Sequence, residues 1–199
     1  DDDDGEPSHV YPALAGARRE LFGICVVGTA GRVFEAGDAQ AEFTIMSVAK
    51  PFVFALVCQA LGPDATRVAL GVNATGLPFN SVSAIERGPG GRTNPMVNPG
   101  AIATTALVPG TSPGEQWEVL LDGLSRFAGR RLALHDEVYA SASATNHRTH
   151  SIARLLLDFG RLAGEDPDAT ADLYTRQSCL AVTARVITAF GPLISKFGG

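Results

Sequence analysis

No block of lysine and arginine occurs in the sequence, and the net charge is −5. A nucleic-acid binder would carry a basic stripe, so that class is set aside. No run is long and apolar enough to cross a membrane as a helix. The first residues, Asp1 to Gly5, are the reverse of a secretion signal, which is positive and then apolar. Adjacent acids repel one another, so residues 1–8 are expected to form a solvated, disordered leader. The cytoplasm is the expected compartment. Cysteine is scarce: Cys25, Cys58 and Cys179 are odd in number and far apart, and no Cys-x-x-Cys is present. Each lies among apolar residues and is expected to be reduced and buried. His147 and His150 form a His-x-x-His without cysteine or acidic companions nearby, so no metal site is expected.

What the chain does have is apolar residues, 45% of its 199. That is ample for the core of one domain, or of one domain with part of a second. The run 22–27 (FGICVV), the turn residues 28–31 and the segment 32–38 (RVFEAGD) predict a β-hairpin. After it the pattern turns helical and is expected to stay so. A helix is predicted from Ser47 to Leu61, ended by Gly62-Pro63. The Gly/Pro/Asn-rich stretch from Gly71 to Gly100 is too long for an idle connection. A buried helix is predicted over Ala101 to Leu107. Ser112-Pro113-Gly114-Glu115 is a helix start, with Ser as cap, Pro at the first position and Glu reaching back. Trp117, Leu120, Leu121, Leu124 and Phe127 then recur at helical spacing up to Gly129, a core stripe. Further helices are predicted from about Ser151 to Phe159, from Asp166-Pro167, and from Val182 to Phe190.

Chemistry concentrates in Ser47-Val48-Ala49-Lys50. A serine hydroxyl is a poor nucleophile until a base takes its proton. Positions i and i+3 of a helix share a face, so Lys50 can reach Ser47. Lysine acts as a base only where its charged form is disfavoured, by burial or a neighbouring cation. The run after it, 52–61 (FVFALVCQAL), is apolar almost all round and predicts a buried helix. Taken alone the pair is a weak signal, because Ser and Lys fall at this spacing by chance in many helices.

Several segments together, in order along nearly the whole chain, resemble the serine-dependent glutaminase family. Val10-Tyr11-Pro12-Ala13-Leu14-Ala15 resembles its Tyr-Ile-Pro-x-Leu-Ala opening, and Phe43 to Lys50 its Phe-x-x-Gln-Ser-x-x-Lys. Gly76 to Ser81 resembles Ser-Gly-x-x-Phe-Asn-Ser, and Asn94 to Ile102 resembles Asn-Pro-Met-x-Asn-Ala-Gly-Ala-Ile, the most specific piece. Tyr174 to Cys179 resembles Tyr-x-x-Gln-Cys-Ser with its last two residues exchanged. The resemblance implies the serine β-lactamase/transpeptidase-like α/β fold, here a mostly helical part plus the N-terminal hairpin with its sheet incomplete. It implies hydrolysis of L-glutamine to L-glutamate and ammonia, with L-glutamine as small-molecule substrate and no cofactor. Ser47, Lys50 and Tyr174 are the expected catalytic residues. Tyr11, Ser47, Asn98 and Tyr174 are expected to hold the substrate. A homo-oligomer is expected, as family members self-associate.

The chain also departs from that pattern. Ala142 stands where the family has a glutamate, and Thr149 where it has an asparagine, both of which contact the bound amino acid there. Met46 replaces the glutamine before the nucleophile, and Pro99 replaces an alanine. The family's C-terminal third, with its Lys-Ser-Gly-Val motif, has no counterpart, so residues 9–199 are expected to be a truncated glutaminase-like domain. Two other readings follow. One is a catalytically impaired relative that binds a small amino acid or a partner. The other is a penicillin-recognising serine enzyme, which would also want a Lys-Thr-Gly that this sequence lacks.

Overall fold

The computed structural model describes residues 5–28, 30–162 and 166–188. Strands β1 (Gly23–Val27) and β2 (Val33–Gly37) pair antiparallel, with Gly23 opposite Gly37 and Val27 opposite Val33. This is the expected hairpin. Its apolar residues are largely exposed, Phe22, Ile24, Val26 and Phe34 among them.

The chain does not stay helical afterwards. Strands β3 (Phe43–Thr44), β4 (Ala133–Leu134) and β5 (Leu180–Val182) form a second antiparallel sheet in the order β3-β5-β4. Two- and three-residue strands leave no alternation to read, which is why the sequence pattern missed them. Their pairing matters for the site. Phe43 lies opposite Val182, and Ile45 N–H donates to the Leu180 carbonyl at 2.9 Å. The end of β3 is thereby pinned just before Ser47.

Eight α-helices lie wholly within the described residues. α1 (Ala49–Leu61) starts two residues later than expected, after a 3-10 turn over Met46–Val48. α2 (Pro63–Ala69) follows at once, its first position taken by proline. Within the Gly/Pro/Asn-rich stretch lies the short α3 (Ser83–Arg87), and α4 (Asn98–Ala106) begins three residues earlier than predicted. α5 (Pro113–Ala128) has the expected cap: Ser112 Oγ accepts from Glu115 N–H, and Gly129 closes it at φ 66°. Glu115 does not reach back to Ser112. Its carboxylate takes the Thr111 N–H and hydroxyl instead. α6 (Asp136–Thr145) carries no apolar stripe and escaped the sequence reading. It turns at Asn146 into α7 (His147–Asp158), longer by a turn than predicted. α8 (Pro167–Ser178) is capped by Asp166, whose side chain accepts from Asp168 N–H. Residues 184–188 are helical, and the rest of the predicted last helix lies outside the described residues.

Three apolar clusters hold these elements. α1 and α5 meet β5 through Phe52, Val53, Leu120, Leu124, Phe127 and Leu180. α4, α7 and α8 meet through Ile102, Ile152, Leu156 and Tyr174. A smaller cluster of Val138, Ala142 and Cys179 carries Tyr11 and Leu14 on its flank. The largest of these side chains are wholly buried, each stabilising the fold by roughly 1.5–3 kcal/mol. Two pairs of buried polar groups join helices: Thr105 Oγ1 donates to Gln177 Oε1 at 3.0 Å, and Asn146 Nδ2 to Thr175 Oγ1 at 2.8 Å. Of the cysteines only Cys179 is buried. Cys25 and Cys58 are half-buried, and all three are free.

Candidate active site

Ser47 sits in the middle of the Met46–Val48 turn, with its side chain exposed to solvent. Met46 before it has φ 48°, the only positive value at a non-glycine residue among those described. A side chain in that region carries strain of roughly 1–3 kcal/mol, and such strain persists only where the surroundings impose it. The pinned end of β3 on one side and α1 on the other impose it here.

Lys50, one turn on, is only 5% exposed. Its ammonium donates to Asn98 Oδ1 at 2.7 Å and to the Met96 carbonyl at 3.4 Å, and it lies 5.8 Å above the centre of the Phe79 ring. These partners are neutral. Burial therefore pushes the Lys50 ammonium down from 10.5 to about 8. Asn98 opens α4, and its position is fixed by its own N–H, which donates to the Phe79 carbonyl at 2.7 Å. Pro99 then occupies the first turn of α4, where a backbone donor has no intrahelical partner, so the change from alanine costs no hydrogen bond.

Tyr174 reaches the same asparagine from α8: its hydroxyl donates to Asn98 Oδ1 at 3.4 Å. The side chain is buried, and burial first and the nearby Tyr11 second hold its phenol well above the ordinary range, so it stays protonated. Tyr11, just before the 3-10 turn Pro12–Gly16, is half-buried, and its phenol is also raised, by burial and then by Cys179. Burial pushes the Cys179 thiol up to about 11, which makes it inert.

Four of the five residues singled out in the sequence thus gather on one cluster: Lys50 and Tyr174 on Asn98 by hydrogen bonds, and Tyr11 beside Tyr174. Ser47 stands at the mouth of that cluster by its place on the chain, and its hydroxyl makes no hydrogen bond among the described residues. Two contributors were not assigned a role from sequence, the Phe79 ring with its carbonyl and the Met96 carbonyl. Both lie inside quoted motif segments, and that was their signal. Ala142 on α6 is fully buried between Val138 and Cys179, while its neighbour Ser141 accepts the Ala13 N–H at 3.1 Å. Arg148 donates twice to the Asn80 carbonyl, at 2.7 and 3.0 Å. The His-x-x-His pair is used otherwise: His150 Nδ1 lies 2.7 Å from Asp168 Oδ1. No three His, Cys, Asp or Glu side chains come together as a metal site among the described residues.

The helical layer, the hairpin and the buried lysine behind an exposed serine define a β-lactamase-like α/β protein. A family model described as Glutaminase matches residues 5–198. The chain is 58% identical over 194 residues to Glutaminase 2 of Yersinia pestis, covering 98% of this chain and 57% of that one. It is 42% identical over 194 residues to a Glutaminase of Brucella abortus (strain S19), with 98% and 61% covered. Among solved structures, one described as probable glutaminase ybaS superposes with a TM-score of 0.91 at 35% identity, over 96% of this chain and 62% of that one. The glutamate form of Mglu superposes with a TM-score of 0.87 at 32% identity, over 96% and 44%. The chain belongs to the glutaminase family. It spans about three fifths of the length of the curated relatives it matches.

Proposed function

We propose that the chain carries the serine-lysine half of an amidohydrolase that converts L-glutamine to L-glutamate and ammonia. The observation behind this reading is Lys50, a buried amine whose partners are all neutral and whose proton leaves at about 8. A base is most useful when its pKa lies near the working pH.

In the reaction, Ser47 Oγ attacks the side-chain amide carbon and Lys50 takes the hydroxyl proton. The N–H groups of the first turn, Ser47 among them, face the developing oxyanion. As the carbon–nitrogen bond breaks, the nitrogen gains a proton and leaves as ammonia. Tyr174, protonated and hydrogen-bonded to Asn98, is the donor on that side, and the proton that Lys50 took from Ser47 replaces the one it gives. Water then attacks the ester on Ser47 and releases the carboxylate. The family and the glutamate-bound Mglu structure support a glutamine-type substrate.

A second reading has its own observation. Ala142 is fully buried where the family has an acid, and no carboxylate is among the causes that shift Lys50, Tyr11 or Tyr174. A substrate ammonium would lack a counter-charge there, a loss on the order of 2–5 kcal/mol in binding. On this reading the chain binds an amino acid weakly and does not turn it over.

The test is ammonia release from L-glutamine by the purified chain, with Ser47→Ala alongside. Release lost in the variant supports the hydrolase. Calorimetric binding of L-glutamine without release supports the second reading, and neither binding nor release overturns both.

A further inference from the structure

The segments between α2 and α4 enclose a hollow of about 430 Å³ that includes none of Ser47, Lys50, Asn98, Tyr174 or Tyr11. Its volume is in the range of small-molecule sites. Arg67 comes to its wall from the last turn of α2, Arg87 from the end of α3, and Arg92 from just past the turn Pro89–Gly91. No carboxylate among the described residues lines it. Among the described residues none of these three guanidinium groups makes an ion pair. Arg92 is held by backbone carbonyls, its Nε on Pro89 and its Nη1 on Val68, each at 3.1 Å. Three unpaired cations around one hollow are unexpected in a chain with a net charge of −5.

Thr93 supplies an independent observation. It lines the same hollow and is 6% exposed, and its hydroxyl is buried without a hydrogen-bond partner. Its backbone is engaged, because the Thr93 carbonyl accepts the Gly71 N–H at 3.1 Å. Buried hydroxyls are ordinarily paired, and this one lacks a partner in a residue that helps to line the hollow.

We infer that this hollow is a binding site for a small organic polyanion. Guanidinium forks match phosphate and carboxylate oxygens two at a time. A bound anion with two or more charges also relieves the mutual repulsion of Arg67, Arg87 and Arg92. Leu70, Val72, Leu77 and Ala84 add apolar surface to a wall that also holds Asn73 and Thr75, so the ligand carries a carbon body with polar groups behind its charged head. A bare inorganic ion would leave most of the volume unfilled. A phosphate monoester and a polycarboxylate share this chemistry.

The test is titration calorimetry of the purified chain at fixed ionic strength, with ribose 5-phosphate, citrate, inorganic phosphate and ribose. Saturable binding of ribose 5-phosphate or citrate is expected, at least tenfold tighter than inorganic phosphate, with none for ribose. The one that binds identifies the source of the anion. Arg67→Ala and Arg87→Ala alter exposed side chains and should each weaken binding at least tenfold. Three results would each overturn the site: no saturable binding of either organic anion up to millimolar concentration, binding unchanged in both arginine variants, or inorganic phosphate binding as tightly, which would mean an adventitious ion only.

Discussion

Lys50 Nζ lies 2.7 Å from Asn98 Oδ1, and this one bond ties the first turn of α1 to the first residue of α4. The same oxygen accepts from Tyr174 on α8. A neutral amide at this junction holds the lysine in place without stabilising its charge as a carboxylate would. The bond sets the geometry of Lys50, and burial lowers its proton affinity.

Turnover should follow the Lys50 proton. If Lys50 is the base, kcat/KM for ammonia release rises with pH through about 8 and levels above it. Lys50→Arg should lose activity by roughly 10²–10⁴, since a guanidinium keeps its proton throughout. A pH-rate profile of both proteins checks this; an inflection well away from 8 would remove Lys50 from the role.

Lys50 should also cost stability at neutral pH. Its folded pKa is lowered from 10.5 to about 8, so below about 8 the folded chain holds a buried charge that the unfolded chain hydrates. That penalty is relieved as pH rises from about 8 to 10.5, because there the unfolded state binds the extra proton. Lys50→Met should stabilise the fold at pH 7 by about 1–3 kcal/mol. The gain should shrink with rising pH and be gone near 10.5. Urea denaturation of both chains at several pH values measures it, and a gain that grew with pH would contradict the assignment.

Tyr174→Phe should separate chemistry from packing. The hydroxyl makes one long bond, at 3.4 Å, while the ring lies in the apolar cluster of α4, α7 and α8. Stability should change by less than about 1 kcal/mol. Ammonia release should fall on the order of 10²-fold if the phenol protonates the leaving nitrogen. Equal losses of stability and activity would make Tyr174 a packing residue.

Gly100→Ala should be severe. A Cβ there would stand 1.8 Å from the Asn94 carbonyl oxygen, a backbone atom that cannot swing aside. Either α4 or the loop 93–97 must move, and both position Asn98. A loss above about 3 kcal/mol is expected, beyond the usual range for one substitution. Thermal unfolding would show it, and a near-neutral result would mean that the loop yields freely.

The hairpin, the α5 stripe with its Ser112 cap, and the Asp166-Pro167 helix start were legible in the sequence. Each is a local pattern with a local cause: period-two or helical spacing, a side chain paired to the next turn, a proline where no donor is needed. The family was legible as well, because its segments keep their order and register along the chain. The roles of Ser47, Lys50, Asn98, Tyr174 and Tyr11 were implied by those segments, not by local pattern.

Tertiary structure decided the rest. In the second sheet β3 pairs with β5 across more than a hundred positions and β4 with β5 across nearly fifty, and strands this short carry no period of their own. The burial of Lys50 depends on α4 and the Phe79 loop closing over it, and the Ser-x-x-Lys pattern by itself is equally at home on a wet helix. The opening of α4 is where Pro99 becomes harmless. The three arginines around Thr93 come from separate elements, and only the folded chain gathers their charges into one hollow. Spacing along a chain reports the face a residue occupies; desolvation and charge depend on what packs against that face.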